Sequence, residues 1–392
     1  MPHPPAPDAA ASRHHGRPLV GRGLGLAAAL LAGSAAAQPQ PAAGQVASEY
    51  RLVELSRDPD VVPSRMNSSG VIVGQHRTAV MPIRTAAEGG YTFLPLSSPL
   101  YTGGTAAGVN EAGSAVGWQF SDGAPGRAVL WPATGGVVDL GESLNLPQAW
   151  TYAVGINDAG QVAGTVIDYT LPDLPGRAVV WSAEGKPRVL PMPRGVRLMR
   201  AEAINGQGHV VGVLELKDVT PAGSMAGFFW SPRTGVKAFA PATRVLDVND
   251  RDEVVGMQDA TGPDGQPLGH GHAFYWSPAL GRRLPQHLPM LPGFLRCFAM
   301  AISPDSVIAG YCEDRKPKLR PDEFAAVAWD RQPDGSWQVH DLKTMTDRNP
   351  WDNATKVRDI DAAGRMLYTV EGYLGVQREA TGIAVPVPSP TR

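Results

Sequence analysis

Apolar positions along this chain come in short runs, each stopped by Asn, Asp, Gly or Pro, and no stretch keeps the three-to-four spacing of a long amphipathic helix. The run TYAVGI (151–156), the turn NDAG (157–160) and the run QVAGTVID (161–168) read as two strands joined by a hairpin. In that turn Asn157 offers a side-chain acceptor to its own backbone, and Gly160 tolerates the left-handed conformation. Both suit a short three- or four-residue hairpin loop.

The pattern recurs. VNEAGSAVG (109–117), INGQGHVVG (204–212) and VNDRDEVVG (248–256) align closely with INDAGQVAG (156–164), and MNSSGVIVG (66–74), ISPDSVIAG (302–310) and IDAAGRMLY (360–368) align more loosely. The leading Asn67, Asn110, Asn157, Asn205, Asn249, Ser303 and Asp361 stand 43, 47, 48, 44, 54 and 58 residues apart. A second motif follows the middle copies: RAVLW (127–131), RAVVW (177–181), GFFW (227–230), HAFYW (272–276) and AVAW (326–329). After each Trp come a turn and a further β-type run, such as VVDLG (137–141) or WQVHDL (337–342). Four strands per period of about 40 to 50 residues predict an all-β chain, a β-propeller of four-stranded blades. Seven blades are counted; six, with one terminal unit incomplete, is the alternative. The last unit has its first hairpin, KVRDIDAAGRMLYTV (356–370), but no Trp motif and no clear fourth strand. YRLVEL (50–55) resembles the missing strand, so the N-terminal strand is expected beside the last blade, closing the ring and removing an exposed edge.

Composition agrees with this reading. Gly 45 and Pro 37 among 392 residues, with 43% hydrophobic and only 18% charged, describe many short strands with punctuated turns. The first 37 residues differ: Arg13, Arg17 and Arg22 precede the apolar run LGLAAALLAG (24–33), which ends in Ala35, Ala36 and Ala37. A basic region, a short apolar run and a small-residue site predict a signal peptide over 1–37 cleaved after Ala37, a flexible lead-in over 38–48 and a single propeller domain over 49–392. The expected location is secreted or periplasmic, and no later run is long enough to span a bilayer. A net charge of −2 with dispersed basic residues excludes a nucleic-acid partner. A monomer is expected.

The chain resembles the HAF-repeat proteins, bacterial extracellular repeat proteins named for a His-Ala-Phe motif. The resemblance covers residues 50 to about 370 and rests on the I-N-x-x-G-x-V-x-G and H-A-F-x-W patterns. The literal triplet occurs once, at His272, Ala273 and Phe274, and Arg127 and Arg177 take the His position elsewhere. The resemblance implies export and a β-repeat fold, with no established reaction and no catalytic residues.

In a four-stranded meander the links between strands one and two, and three and four, lie on one face; those between two and three, and between blades, lie on the other. The Asn turns therefore share a turn face, and the long variable segments 141–150, 166–176, 214–225, 257–271, 311–323 and 343–355 share a loop face. A rigid scaffold with variable loops at one end is how folds present binding sites. The repeated Trp131, Trp181, Trp230, Trp276 and Trp329 are expected to pack blade against blade rather than form a sugar-stacking ring. Trp150 and Trp351 break the repeat and fall in long inter-blade segments, Trp351 among Asp347, Asn349, Asp352 and Asn353. Trp150, Trp351, Asp347, Asp352 and Asn353 are the candidate binding residues, for a carbohydrate or protein ligand.

The Asn205–Gly212 stretch carries spaced glycines, but a dinucleotide site needs a helix after them and a strand follows. His270 and His272 stand two apart without an evident third ligand, and Asp259 with Asp264 fits no calcium loop, so no metal is assigned. No catalytic signature and no cofactor motif appears, and the catalytic residues are unknown. The reading is an exported, non-enzymatic binding or scaffold propeller; the alternative is a polysaccharide hydrolase or lyase with acids gathered on the loop face.

The only cysteines, Cys297 and Cys312, flank the sixth hairpin. With a four-residue loop, Ile302 faces Val307 and outward counting sets the two cysteines opposite each other. With a three-residue turn and a bulge, Ile302 faces Ile308 and the sulfurs turn to opposite faces. Pro304, and Ser306 in place of the turn glycine, favour the first register and a disulfide.

Overall fold

The computed structural model describes residues 44–388 apart from 78–80, 86–92, 97–101, 170–175, 218–224, 263–266, 282–284, 315–323, 347–354 and 372–377. Among these residues the strands fall into antiparallel groups of four, with only short 3-10 turns besides. The first sheet comprises Val61–Met66, Ile72–His76, Met81–Thr85 and Phe93–Pro95; the second, Gly103–Val109, Ala115–Phe120, Arg127–Trp131 and Val138–Asp139. The third comprises Trp150–Ile156, Val162–Ile167, Arg177–Trp181 and Pro187–Val189; the fourth, Val196–Ile204, Val210–Leu216, Met225–Ser231 and Gly235–Pro241. Thr243–Val248, Val254–Thr261, Pro267–Trp276 and Gln286–His287 form the fifth; Arg296–Ile302, Ile308–Glu313, Phe324–Arg331 and Trp337–Asp341 form the sixth, tied to the fifth by one parallel bridge between Gly271 and Arg296. The seventh pairs Lys356–Ile360, Met366–Glu371 and Arg378–Pro386 with Tyr50–Ser56.

That last pairing is antiparallel, with Tyr50 opposite Pro386 and Leu52 opposite Ala384. The third strand of this sheet, Arg378–Pro386, escaped the repeat pattern because it has no Trp. The described end of the lead-in, from Gly44, makes contact with the sixth and seventh sheets. The Val46 amide donates to Asp330 at 3.0 Å, and Ala47 is buried beside Leu342 and Val357. Residues 1–43, with the expected signal peptide, lie outside the described residues.

The first strand of every sheet carries a β-bulge three residues before the Asn position, at Ser64, Ala107, Val154, Glu202, Leu246, Met300 and Arg358. A bulge re-aims the strand and thrusts backbone sideways. This explains the last glycine of the repeat pattern. A Cβ on Gly74, Gly117, Gly164, Gly212, Gly256 or Gly310 would come 1.9 to 2.1 Å from a carbonyl oxygen of the neighbouring bulged strand, so only glycine admits the approach.

The turn asparagines do more than brace their own turns. Each Oδ1 accepts the backbone N–H four residues on, at 2.8 to 3.1 Å. Each Nδ2 donates to the carbonyl of the corresponding residue in the next sheet, Asn67 to Asn110, Asn110 to Asn157, Asn157 to Asn205, Asn205 to Asn249 and Asn249 to Ser303, at 2.9 to 3.3 Å. All five are buried. The Asp361 side chain has no N–H to donate. Arg365 pairs with its carboxylate and itself donates to the Asn67 carbonyl at 3.4 Å and the Ser68 carbonyl at 2.6 Å, tying the seventh sheet to the first.

The five repeat tryptophans are 0 to 2% exposed, and each packs on the preceding sheet. Cys297 and Cys312 stand opposite each other, Cα atoms 4.0 Å apart, and are joined. The register differs from the favoured one: Ile302 faces Ile308, and the bulge at Met300 restores the alignment of the cysteines. With the cysteines 15 positions apart in sequence, reduction is expected to lower the unfolding free energy by roughly 3 kcal/mol in the chain-entropy model. Denaturant titration with and without dithiothreitol checks this.

Candidate functional site

Strand direction sorts the side chains between faces. First strands run toward the Asn turns, so their opening residues, the ends of second strands and the starts of third strands lie on the loop face. There the second and third sheets bring five aromatic rings together. Trp118 and Phe120 stand two apart on one strand and so share a side, their ring centroids 5.5 Å apart. Trp150 and Tyr152 do the same on the next sheet at 6.2 Å. Trp118 meets Tyr152 edge-on at 5.4 Å, and Trp150 meets Tyr169 edge-on at 6.5 Å. Tyr169 is 67% exposed and the other four rings are half-buried. Gly126 lies beneath the cluster, where a Cβ would come 2.9 Å from Trp150 Cε3. Burial, reinforced by the Tyr169 hydroxyl, pushes the Tyr152 phenol up to about 12, so it remains a neutral hydrogen-bonding group.

Trp150 was expected in an inter-sheet loop. It is instead the first residue of the strand Trp150–Ile156, paired with Ile167, and its half-buried ring packs on Tyr152 and Tyr169. Asp347, Trp351, Asp352 and Asn353 lie outside the described residues. Trp118, Phe120, Tyr152 and Tyr169 were missed, although the alternation W-x-F and W-x-Y at strand ends facing the loops was the available signal. The long loops are also shorter than the sequence implied: strands continue to Ile167, Leu216, Thr261 and Glu313, well into them.

A second concavity of about 300 Å³ lies where the first strands converge, lined by Ser64, Arg65, Glu202, Leu246, Met300 and Arg358 among others. Arg65 bonds Asp359 of the seventh sheet at 3.0 Å and reaches Asp247 of the fifth at 3.5 Å. Each acid also accepts a backbone N–H from an adjacent sheet, Met66 at 2.8 Å for Asp359 and Ile302 at 3.0 Å for Asp247. These carboxylates serve as latches between sheets. Burial pushes the Asp359 carboxyl up to about 6 against the opposing pull of Arg65, and raises Asp247 and Glu202 for the same reason. A carboxyl raised in the folded state contributes stability that is full below its ordinary value near 4 and lost as pH rises through about 6. The deficit of Asp359→Asn relative to wild type is therefore expected to be smaller at pH 7.5 than at pH 4.5, as measured by denaturant unfolding at both.

His272 stacks on His287 at 4.7 Å and His287 bonds Gln258, so this pair packs on the sheet surface. Asp259 is paired with Arg296 and lies near Arg244; Asp264 is outside the described residues. Asp58, Asp60 and His76 group their donor atoms within 4.8 Å, but Asp58 is engaged as a turn brace by the Asp60 amide and by His76. Among the described residues no helix is long and apolar enough to cross a membrane.

No family model matches the chain, and no curated protein does. Among solved structures, the β-propeller domain of the trilobed protease from Pyrococcus furiosus, described as having an open velcro topology, superposes with a TM-score of 0.51 at 9% identity, over 89% of this chain and 100% of that one. Virginiamycin B lyase from Staphylococcus aureus gives 0.47 at 10% identity over 86% and 99%, and a putative TolB from Agrobacterium tumefaciens gives 0.40 at 12% over 83% and 90%. At such identities only the fold transfers, and the first of these likenesses, with the four-stranded sheets, makes this chain an all-β protein of β-propeller fold.

Proposed function

We propose that this chain is an exported, non-enzymatic binding module of the HAF-repeat type: a seven-bladed propeller closed by its N-terminal strand, with the loop face turned to a carbohydrate ligand. The observation that carries the reading is the five-ring cluster of Trp118, Phe120, Trp150, Tyr152 and Tyr169 at the loop end of two adjacent sheets. Four rings held at strand ends and the exposed Tyr169 just beyond one of them, with the polar tips of the Trp and Tyr side chains beside them, suit stacking against the apolar face of a sugar ring with hydroxyls in reach. The enzymatic alternative draws no support from the central acids, since Asp247 and Asp359 are committed to Arg65 and to backbone amides.

A glycan and peptide screen of the protein lacking residues 1–37, with turnover assayed on every hit, tests this. Tyr169→Ala is expected to weaken binding of the best glycan at least tenfold without lowering the melting temperature, because Tyr169 is mostly exposed. Undiminished binding, or turnover of the hit, would overturn the reading.

A further inference from the structure

On the opposite, turn face, a cleft of about 620 Å³ opens between the fourth and fifth sheets, within the size range of small-molecule sites. Its origin lies in a missing segment. Beside Trp181 and Trp329 the chain following the preceding sheet covers the indole and accepts its N–H, at Ser143 Oγ (3.1 Å) and the Pro289 carbonyl (2.8 Å). The fourth sheet ends at Pro241 and the fifth begins at Thr243, so only Ala242 intervenes. Trp276 lines the cleft, and its buried indole N–H has no partner among the described residues.

One residue in this cleft departs from the repeat. Five of the seven turns place glycine in the left-handed position, at φ 73 to 88°: Gly70, Gly113, Gly160, Gly208 and Gly364. The sixth turn places Ser306 there at φ 71° and the fifth Asp252 at φ 59°, a conformation that costs a residue with a Cβ more than it costs glycine. The Asp252 carboxylate lies 2.6 Å from His209 Nδ1 on the fourth sheet and also accepts the Asn205 amide at 2.9 Å. A carboxylate only accepts, so Nδ1 carries the proton and Nε2, on the other edge of the ring, is the nitrogen left for a ligand. Across the cleft stand Arg233, with no ion pair among the described residues, and Lys237, whose Nζ lies 4.0 Å from the Trp276 ring centre. Ser231 and Thr234 set two hydroxyls 2.7 Å apart on the rim. With Asp252 committed to His209, the cleft carries excess positive charge, hydroxyls and an aromatic wall.

We propose that this cleft is a binding site for a small sugar acid, with the carboxylate held by Arg233, one ring hydroxyl donating to His209 Nε2 and others bonded to Ser231 and Thr234, and with Asp252 as the residue that positions His209. The site is independent of the loop face. Calorimetric titration with D-galacturonate, with D-galactose as the neutral control, tests it. Saturable binding of galacturonate but not galactose is expected, at least fivefold weaker in Arg233→Ala and in Asp252→Gly, and unchanged in Tyr169→Ala. Asp252→Gly restores the repeat's own turn residue, so its melting temperature is expected to equal or exceed that of wild type while affinity falls. Absence of galacturonate binding, equal affinity for galactose, wild-type affinity in both cleft variants, or loss of binding in Tyr169→Ala would each overturn the assignment.

Discussion

Replacing Trp181 by alanine is expected to lower the unfolding free energy by roughly 3 to 5 kcal/mol, the range for removing a fully buried large aromatic side chain. Its indole is 0% exposed and packs against Val116, Ala128 and Leu140 of the second sheet as well as Ile156, Val162 and Val179 of its own. The deletion therefore opens a void between two sheets rather than inside one. Phenylalanine separates packing from hydrogen bonding. Trp181→Phe gives up the bond to Ser143, whereas the Trp276 N–H that Trp276→Phe removes has no partner among the described residues. Urea titrations of the two variants are expected to show the larger loss at Trp181, by about 1 kcal/mol. Equal losses would show that the Ser143 bond contributes nothing.

The second large effect is expected at the turn-face ladder. Asn157→Ala removes the acceptor of the Gln161 N–H and the donor to the buried Asn205 carbonyl. With them goes the Nδ2 bond to Gln161 Oε1, and a cost of roughly 2 to 4 kcal/mol follows. Asn157→Asp keeps the acceptor and removes the donor. If the residue merely shaped its own turn, that variant would remain near wild type; a role between sheets requires a loss comparable with Asn157→Ala. The seventh unit is the natural comparison, since Asp361 there works with Arg365 supplying the missing N–H.

These residues also show what the sequence could and could not disclose. The hairpins were legible because Asn, Gly and the flanking apolar runs repeat in a fixed order, and the strands RAVLW and RAVVW are found with the expected bounds. The burial of the repeat tryptophans was legible for the same reason. The ladder was not, because it depends on which turns become neighbours in space; the clue was a preference for Asn where Asp would serve the turn equally well. The bulges were hidden because the bulged position holds Ser, Ala, Val, Glu, Leu, Met and Arg in turn. Ser64, Glu202, Leu246, Met300 and Arg358 line one shared concavity, where apolar, polar and charged side chains all find room, so no residue type marks the bulges. The bulge at Met300, unmarked in the sequence, is why Ile308 stands opposite Ile302 where the sequence favours Val307, with the cysteines still aligned. The candidate site was legible only through Trp150, and even that residue was placed in a loop instead of at a strand start. The aromatic cluster is assembled across two sheets, and a periodicity argument along one chain does not reveal which strand ends meet.

Closure of the ring through the N-terminal strand is the claim on which the architecture depends, and amide hydrogen exchange of the intact protein tests it most directly. Arg51, Leu52, Val53 and Glu54 are each paired with a residue of the strand Arg378–Pro386. Their amides directed at that strand are expected to exchange as slowly as those of Met366–Glu371, the next strand inward, and to be released together with them in denaturant. Exchange of Arg51 to Glu54 at the rate of an unpaired chain, while Met366–Glu371 remains protected, would contradict closure.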